Sequence, residues 1–194
     1  VTQVSMSLGA QGNLFDETPE HCRRLRVDHP IITNSELAKI KALNEPGLRS
    51  KTISTLWKVA EGEKGLREAM DRIRAEASQA ARDGYTILVL SDRGVDQEQA
   101  PVPSLIAVGG VHHHMIRDGT RLRVSLVVES GEPREVHHFA CLYGYGASAI
   151  NPYLAYEILH WLVEEEKIEE SITFQTALEN YRKAQEIGIL KIMS

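Results

Sequence analysis

Three consecutive histidines, His112, His113 and His114, and a pair, His137 and His138, are the densest set of metal-ligating side chains in the sequence. Zinc takes imidazoles that converge tetrahedrally, commonly two at i and i+4 on one helix face with a third ligand from elsewhere. Three successive helical positions fan out over about 200°, so the triplet cannot face one ion. No acidic or cysteine ligand stands at a supporting spacing. The histidines therefore read as packing or interface groups, and no metal site is assigned. Nucleophilic chemistry finds no better footing. There is no Gly-x-Ser-x-Gly elbow, Ser91 is followed by Asp and Arg, and Cys141 in Phe139-Ala140-Cys141-Leu142 reads as a small buried apolar side chain. Gly109-Gly110 lies inside a helical pattern, where it suits close approach of a helix to a sheet. Gly144-Tyr145-Gly146 precedes a strand, the wrong order for a dinucleotide loop. What remains is a set of polar residues just past apolar runs: Asp92 with Arg93, Glu129, and Asn151 with Tyr153. Gathered at one rim, they could bind a small anionic ligand, dock another domain, or cap the adjacent helices and turns.

Those residues can meet only if the apolar runs are parallel strands. Tyr85–Leu90 is unbroken apolar or β-branched sequence, as in a strand buried on both faces of a parallel sheet. Further strands are expected over 52–59, 121–129 and 147–151. Helices are expected over 63–82, with its apolar residues at three- and four-residue steps, and over 104–117, 134–142, 152–166 and 171–187. Strand and helix alternate four times, which argues for right-handed βα units. The fold class is α/β with a parallel sheet, resembling a partial (β/α) barrel or a small open sheet; a closed barrel takes ~250 residues. Residues 51–194 form this βα-repeat domain. Residues 1–50 form a lead-in arm whose first 30 residues are expected to run over the surface, with a turn of helix at Thr18-Pro19-Glu20, an extended stretch at His29–Thr33, and a short helix opened by the capping box Thr33-Asn34-Ser35-Glu36. Such a partial sheet is expected to leave strand edges and apolar helix faces open, so that the isolated segment self-associates.

The bulk numbers narrow the classes. The chain has 194 residues, 42% hydrophobic and 25% charged, with net charge −5. A mild acidic excess without a basic stripe argues against nucleic acid. No stretch approaches the ~20 apolar residues of a membrane helix, and no signal peptide is evident. The two cysteines, Cys22 and Cys141, read as reduced thiols and the compartment as cytoplasmic. A start at Val1 and an apolar end at Leu190–Met193 suggest a piece of a longer chain.

Several motifs carry a resemblance. Leu8-Gly-Ala-Gln-Gly-Asn-Leu-Phe15, Thr18-Pro-Glu-His-Cys-Arg-Arg24, Leu90-Ser-Asp-Arg-Gly-Val95, Val111-His-His-His-Met115, Val136-His-His-Phe139 and Ala149-Ile-Asn-Pro-Tyr153 resemble the central domain of glutamate synthase large chains. Tyr181-Arg-Lys-Ala and Gly188-Ile-Leu-Lys-Ile-Met-Ser194 resemble the join where that family enters its FMN-binding domain. The resemblance implies a multidomain parent that makes two glutamates from glutamine, 2-oxoglutarate and reductant. An amidotransferase domain would release ammonia to an FMN domain that also carries an iron–sulfur cluster, and a small subunit or ferredoxin could serve the parent. The central domain links the two, with an α/β topology related to the FMN barrel. Cys22 and Cys141 match neither the catalytic nor the cluster cysteines of the family. No catalytic, cofactor or metal residue is thus carried over, and the isolated segment is expected to be inactive. The alternatives are a self-standing α/β enzyme using the Asp92–Arg93, Glu129 and Asn151 rim on a small anionic substrate, and a metal-binding or oligomerising module built on the His cluster.

Overall fold

Short elements come first. In the computed structural model, which describes residues 4–13 and 15–194, β1 (Met6–Leu8) pairs antiparallel with β2 (Leu25–Val27). Residues 1–3 and Leu14, part of the first motif above, lie outside the described residues. Pro19–Cys22 makes a single 3-10 turn with Pro at its start. Helix α1 (Asn34–Lys41) opens as its capping box predicts: Glu36 N–H donates to Thr33 Oγ1 at 3.2 Å, and Thr33 N–H donates to Glu36 Oε2 at 2.6 Å. Strand β3 (Asn44–Glu45) then folds back on β4 (Leu48–Ser54) through Gly47, whose φ of 78° suits glycine.

The strand expected over 52–59 is broken in two. It ends at Ser54, and β5 (Leu56–Lys58) leaves the sheet. Helix α2 (Gly62–Arg82) buries Ala69, Met70, Ile73, Ala77 and Ala80, and leads to β6 (Ile87–Ser91), buried at every position. Strand β7 (Gln99–Pro101) is the antiparallel partner of β5. Helix α3 (Ser104–Arg117) has the predicted bounds. Residues Arg121–Arg123, expected as strand, form a 3-10 turn, and β8 (Ser125–Glu129) starts after it. Helix α4 (Val136–Gly144), β9 (Ala149–Asn151), α5 (Tyr153–Glu164) and α6 (Phe174–Met193) complete the chain.

The main sheet has five strands in the order β3-β4-β6-β8-β9, parallel except for β3. Sequential order with right-handed crossovers puts every crossover helix on one face. On that face Ile53, Leu88, Leu90, Leu126, Val128 and Ile150 pack with α2, α3, α4 and α6 in the larger core cluster. Each fully buried Leu, Ile or Val there contributes about 1.5–3 kcal/mol. In a closed barrel the other face would line the interior. Here the arm fills it: Leu8, Ile32, Leu37 and Ile40 cover Ile87, Val89, Val127 and Ala149. The surface course expected for the first 30 residues is corrected at β1, where Leu8 is fully buried.

The expected open edges are covered in part. Strand β3 pairs with Leu48 and Arg49 at the start of β4. Extended Pro30–Ile32 covers the β9 edge, with Ile32 N–H donating to Ile150 O and Ile150 N–H to Pro30 O, both at 2.8 Å. Gly110 admits a helix rather than the sheet, since a Cβ there would stand 2.5 Å from Met70 Cε of α2.

Candidate functional site

The carboxyl ends of the strands do bring the predicted polar residues together, divided between the two faces of the sheet. Side chains alternate along a strand, and the parallel register aligns them in layers. Ser54, Ser91, Glu129 and Asn151 form the last layer on the arm face. Glu129 is its centre and only 4% exposed. Its Oε2 accepts from Lys41 Nζ at 2.5 Å and from Ser91 Oγ at 2.6 Å, and its Oε1 accepts from Arg93 Nε at 3.3 Å. Lys41 ends α1, so this bond fastens the arm across the mouth of the sheet. Arg93 does not pair with Asp92. It lies 3.8 Å above the Tyr153 ring and reaches Glu157 Oε1 at 2.8 Å.

Asn151 is fully buried; its Nδ2 donates to Ile32 O at 3.0 Å and to Asn34 Oδ1 at 2.9 Å. Tyr156 Oη donates to the same Ile32 carbonyl at 3.1 Å. On the helix face Asp92 accepts from Ser130 Oγ at 2.6 Å and from Gly131 N–H at 3.1 Å, bracing the loop after β8. Burial lifts the Asp92 carboxyl above its ordinary 3.8, against the opposite pull of hydrogen bonds from Ser130, Tyr153 and Gly131. Burial and the neighbouring carboxylate likewise raise the Tyr153 phenol. These residues tie loops and α1 to the sheet; the helix cap nearby is Glu132, which accepts the Ser104 N–H at 2.8 Å at the start of α3.

The histidines do not converge. His112 Nδ1 accepts from Arg121 Nε at 2.9 Å, and the same guanidinium donates to Val124 O and Gly146 O. Gly146 leaves room for this imidazole, for a Cβ would stand 2.3 Å from His112 Nδ1. Burial first, then Arg121 and His113, lower the His112 pKa. His113 is exposed in a groove with Arg74 and Arg117, and His114 is half-buried. His138 Nδ1 accepts from Arg134 N–H at 3.1 Å, and His137 Nε2 lies 3.7 Å from Cys141 Sγ. They share a cleft of about 320 Å³ with Ser104, Glu132 and half-buried Cys141. Among the described residues no group of three or more His, Cys, Asp or Glu is placed to hold a metal ion. Iron–sulfur clusters need several cysteine thiolates, and Cys22 and Cys141 stand free on separate elements. The cations at the rim, Lys41 and Arg93, are already paired. Among the described residues, the two cysteines do not fit a cluster, and the rim cations leave no free charge for a flavin phosphate.

The partners that close the rim, Lys41, Ser130 and Glu157, were not among the predicted site residues. Lys41 bonds Glu129 across 88 positions and Glu157 bonds Arg93 across 64; no local pattern marks such pairs.

Comparison with known proteins agrees with the motifs. The family described as glutamate synthase central domain matches residues 1–194. Glutamate synthase [NADH] of Schizosaccharomyces pombe is 41% identical over 100% of this chain and 9% of that protein. The Bacillus subtilis glutamate synthase [NADPH] large chain is 38% identical over 100% of this chain and 12% of its own length. The ferredoxin-dependent glutamate synthase of Pyropia yezoensis is 39% identical, again over the whole of this chain and 13% of its own. The chain thus spans only about a tenth of these relatives. With its α/β sheet, its motifs in order and its full length matched, this chain belongs to the glutamate synthase central domain family.

Proposed function

We propose that the chain is the linking segment of a glutamate synthase large chain. It holds a glutamine amidotransferase domain and an FMN- and iron–sulfur-bearing synthase domain in fixed relation, so that ammonia released by one reaches the other. The parent reaction joins glutamine, 2-oxoglutarate and reductant into two glutamates. One observation carries the reading. Relatives named for NADH, for NADPH and for ferredoxin all match over 100% of this chain, so whatever it does is common to all three electron donors. Donor recognition, by a small chain or by ferredoxin, then belongs elsewhere in the parent, as do the flavin and the cluster. A cytoplasmic setting is part of the same proposal.

The closed rim supports a structural role. A self-standing enzyme holding a small anion there would need a free cation, and Arg93 is shared between Glu129 and Glu157 while Lys41 is held by Glu129. Titrating the 194-residue segment with FMN should leave flavin fluorescence and absorbance unchanged, and saturable binding would sink the reading. In the full-length chain, loosening this segment should let ammonia escape. The yield would then fall from two glutamates per glutamine towards one while glutamine hydrolysis continues.

A further inference from the structure

The two ends of the described chain come together. Val4 and Met6 from the arm, Tyr143 from α4, and Ile189, Ile192 and Met193 from the last turns of α6 wall one apolar groove of about 460 Å³. It lies at the amino end of the strands, beside Ala147 just ahead of β9, opposite the rim. The groove is open. Ile189 is buried in the core, whereas Ile192 and Met193, about one turn further on, are 60% and 57% exposed. The apolar stripe of α6 therefore runs out of the core and along this wall. In the relatives matched above, which this chain covers over 9 to 13% of their length, polypeptide extends beyond the matched stretch.

We infer that, in the full-length protein, the polypeptide following Ser194 packs into this groove. The inference rests on the reading of the chain as an internal segment of a glutamate synthase large chain. Covalent continuity selects the occupant. A segment tethered directly to α6 reaches an effective concentration in the millimolar range, well above that of a separate molecule, and it continues a helix whose apolar side already faces the groove.

The test uses full-length large chain with single probes in the groove. Gly144→Cys places its side chain where nothing stands within 4 Å, and Met193→Cys probes the end of α6. Ile106→Cys on α3, 56% exposed away from the groove, is the control. Maleimide labelling is followed site by site by peptide mass spectrometry. Both groove cysteines should label at least tenfold more slowly than the control, at every protein concentration. Labelling at the control rate overturns the inference. So does protection that fades on dilution, which would place a second copy in the groove. Full-length protein without glutamine-dependent glutamate formation would sink the larger reading and leave these rates unmoved.

Discussion

The two ends of the sheet are built on opposite terms. At the carboxyl end, charges collect and cancel: one buried carboxylate, Glu129, takes Lys41, Ser91 and Arg93, and Asp92 takes Ser130 and Gly131. At the amino end, beside the Arg121–His112–Gly146 bonds, Tyr143, Ile192 and Met193 wall an open apolar groove. In α/β folds chemistry is sought at the carboxyl end; here most of the polar groups at that end bond to one another and tie loops and α1 to the sheet. The end that looks plain is the one left with surface to cover. The rim's hydrogen-bonding capacity is not wholly used, for Asn151 Oδ1 is buried there without a partner among the described residues.

Substitutions can break that contrast. The largest effect is expected from Glu129→Ala, about 3 kcal/mol of stability, because three donors lose a shared buried acceptor at once. Urea denaturation of the segment checks it, and a loss below about 1 kcal/mol, the range of an exposed pair, would mean that the rim holds little. Asp92→Ala should cost roughly 2 kcal/mol by orphaning Ser130 and the Gly131 amide. It should leave the turnover per folded molecule of the full-length enzyme unchanged; a fall in that turnover would return Asp92 to the reaction.

The Arg121–His112 latch gives a pH effect with a definite sign. The folded-state pKa of His112 lies below its ordinary 6.5, so above 6.5 the imidazole is neutral in both states and costs nothing. As pH falls below 6.5 the unfolded chain takes up a proton that the folded chain resists, and stability declines until the lowered folded pKa is passed. The urea midpoint should therefore drop between pH 7 and pH 5, and His112→Gln should shallow that drop. An identical slope in the variant would remove the latch from the account. The smallest change is expected at the amino end. Ile192→Ser and Met193→Ser should each alter the stability of the 194-residue segment by no more than about 0.5 kcal/mol. They should, however, reduce its self-association in sedimentation velocity. Equal association in these variants would move the sticky surface away from the groove.

Much of the fold is legible along the chain because its signals are local. The Thr33–Glu36 capping box, the three- and four-residue steps of α2, the bounds of α3 and the apolar run of β6 each depend on residues within a few positions of one another. The strand expected over 52–59 fails for the complementary reason. Thr55 bonds across to Ser91 O and receives Val102 N–H, so a distant partner ends β4 and sends β5 into its own ribbon. Residues 121–123 are expected to lead into the strand, but Arg121 turns to His112 and Gly146 and the backbone coils into a 3-10 turn. The candidate site is legible in part: Asp92, Arg93, Glu129, Asn151 and Tyr153 do stand near one rim. Which of them touch, and on which face, is not.

By itself the sequence determined the βα alternation, the family resemblance and the identity of the rim residues, since periodicity, capping and motif order are properties of neighbours in the chain. Only the tertiary structure decided that the arm fills the face a barrel would enclose. It alone shows that Lys41 closes on Glu129 from 88 positions away, and that the first and last turns wall one groove. Those outcomes depend on strand register and helix packing, which set partners far apart in sequence through burial that no short window records.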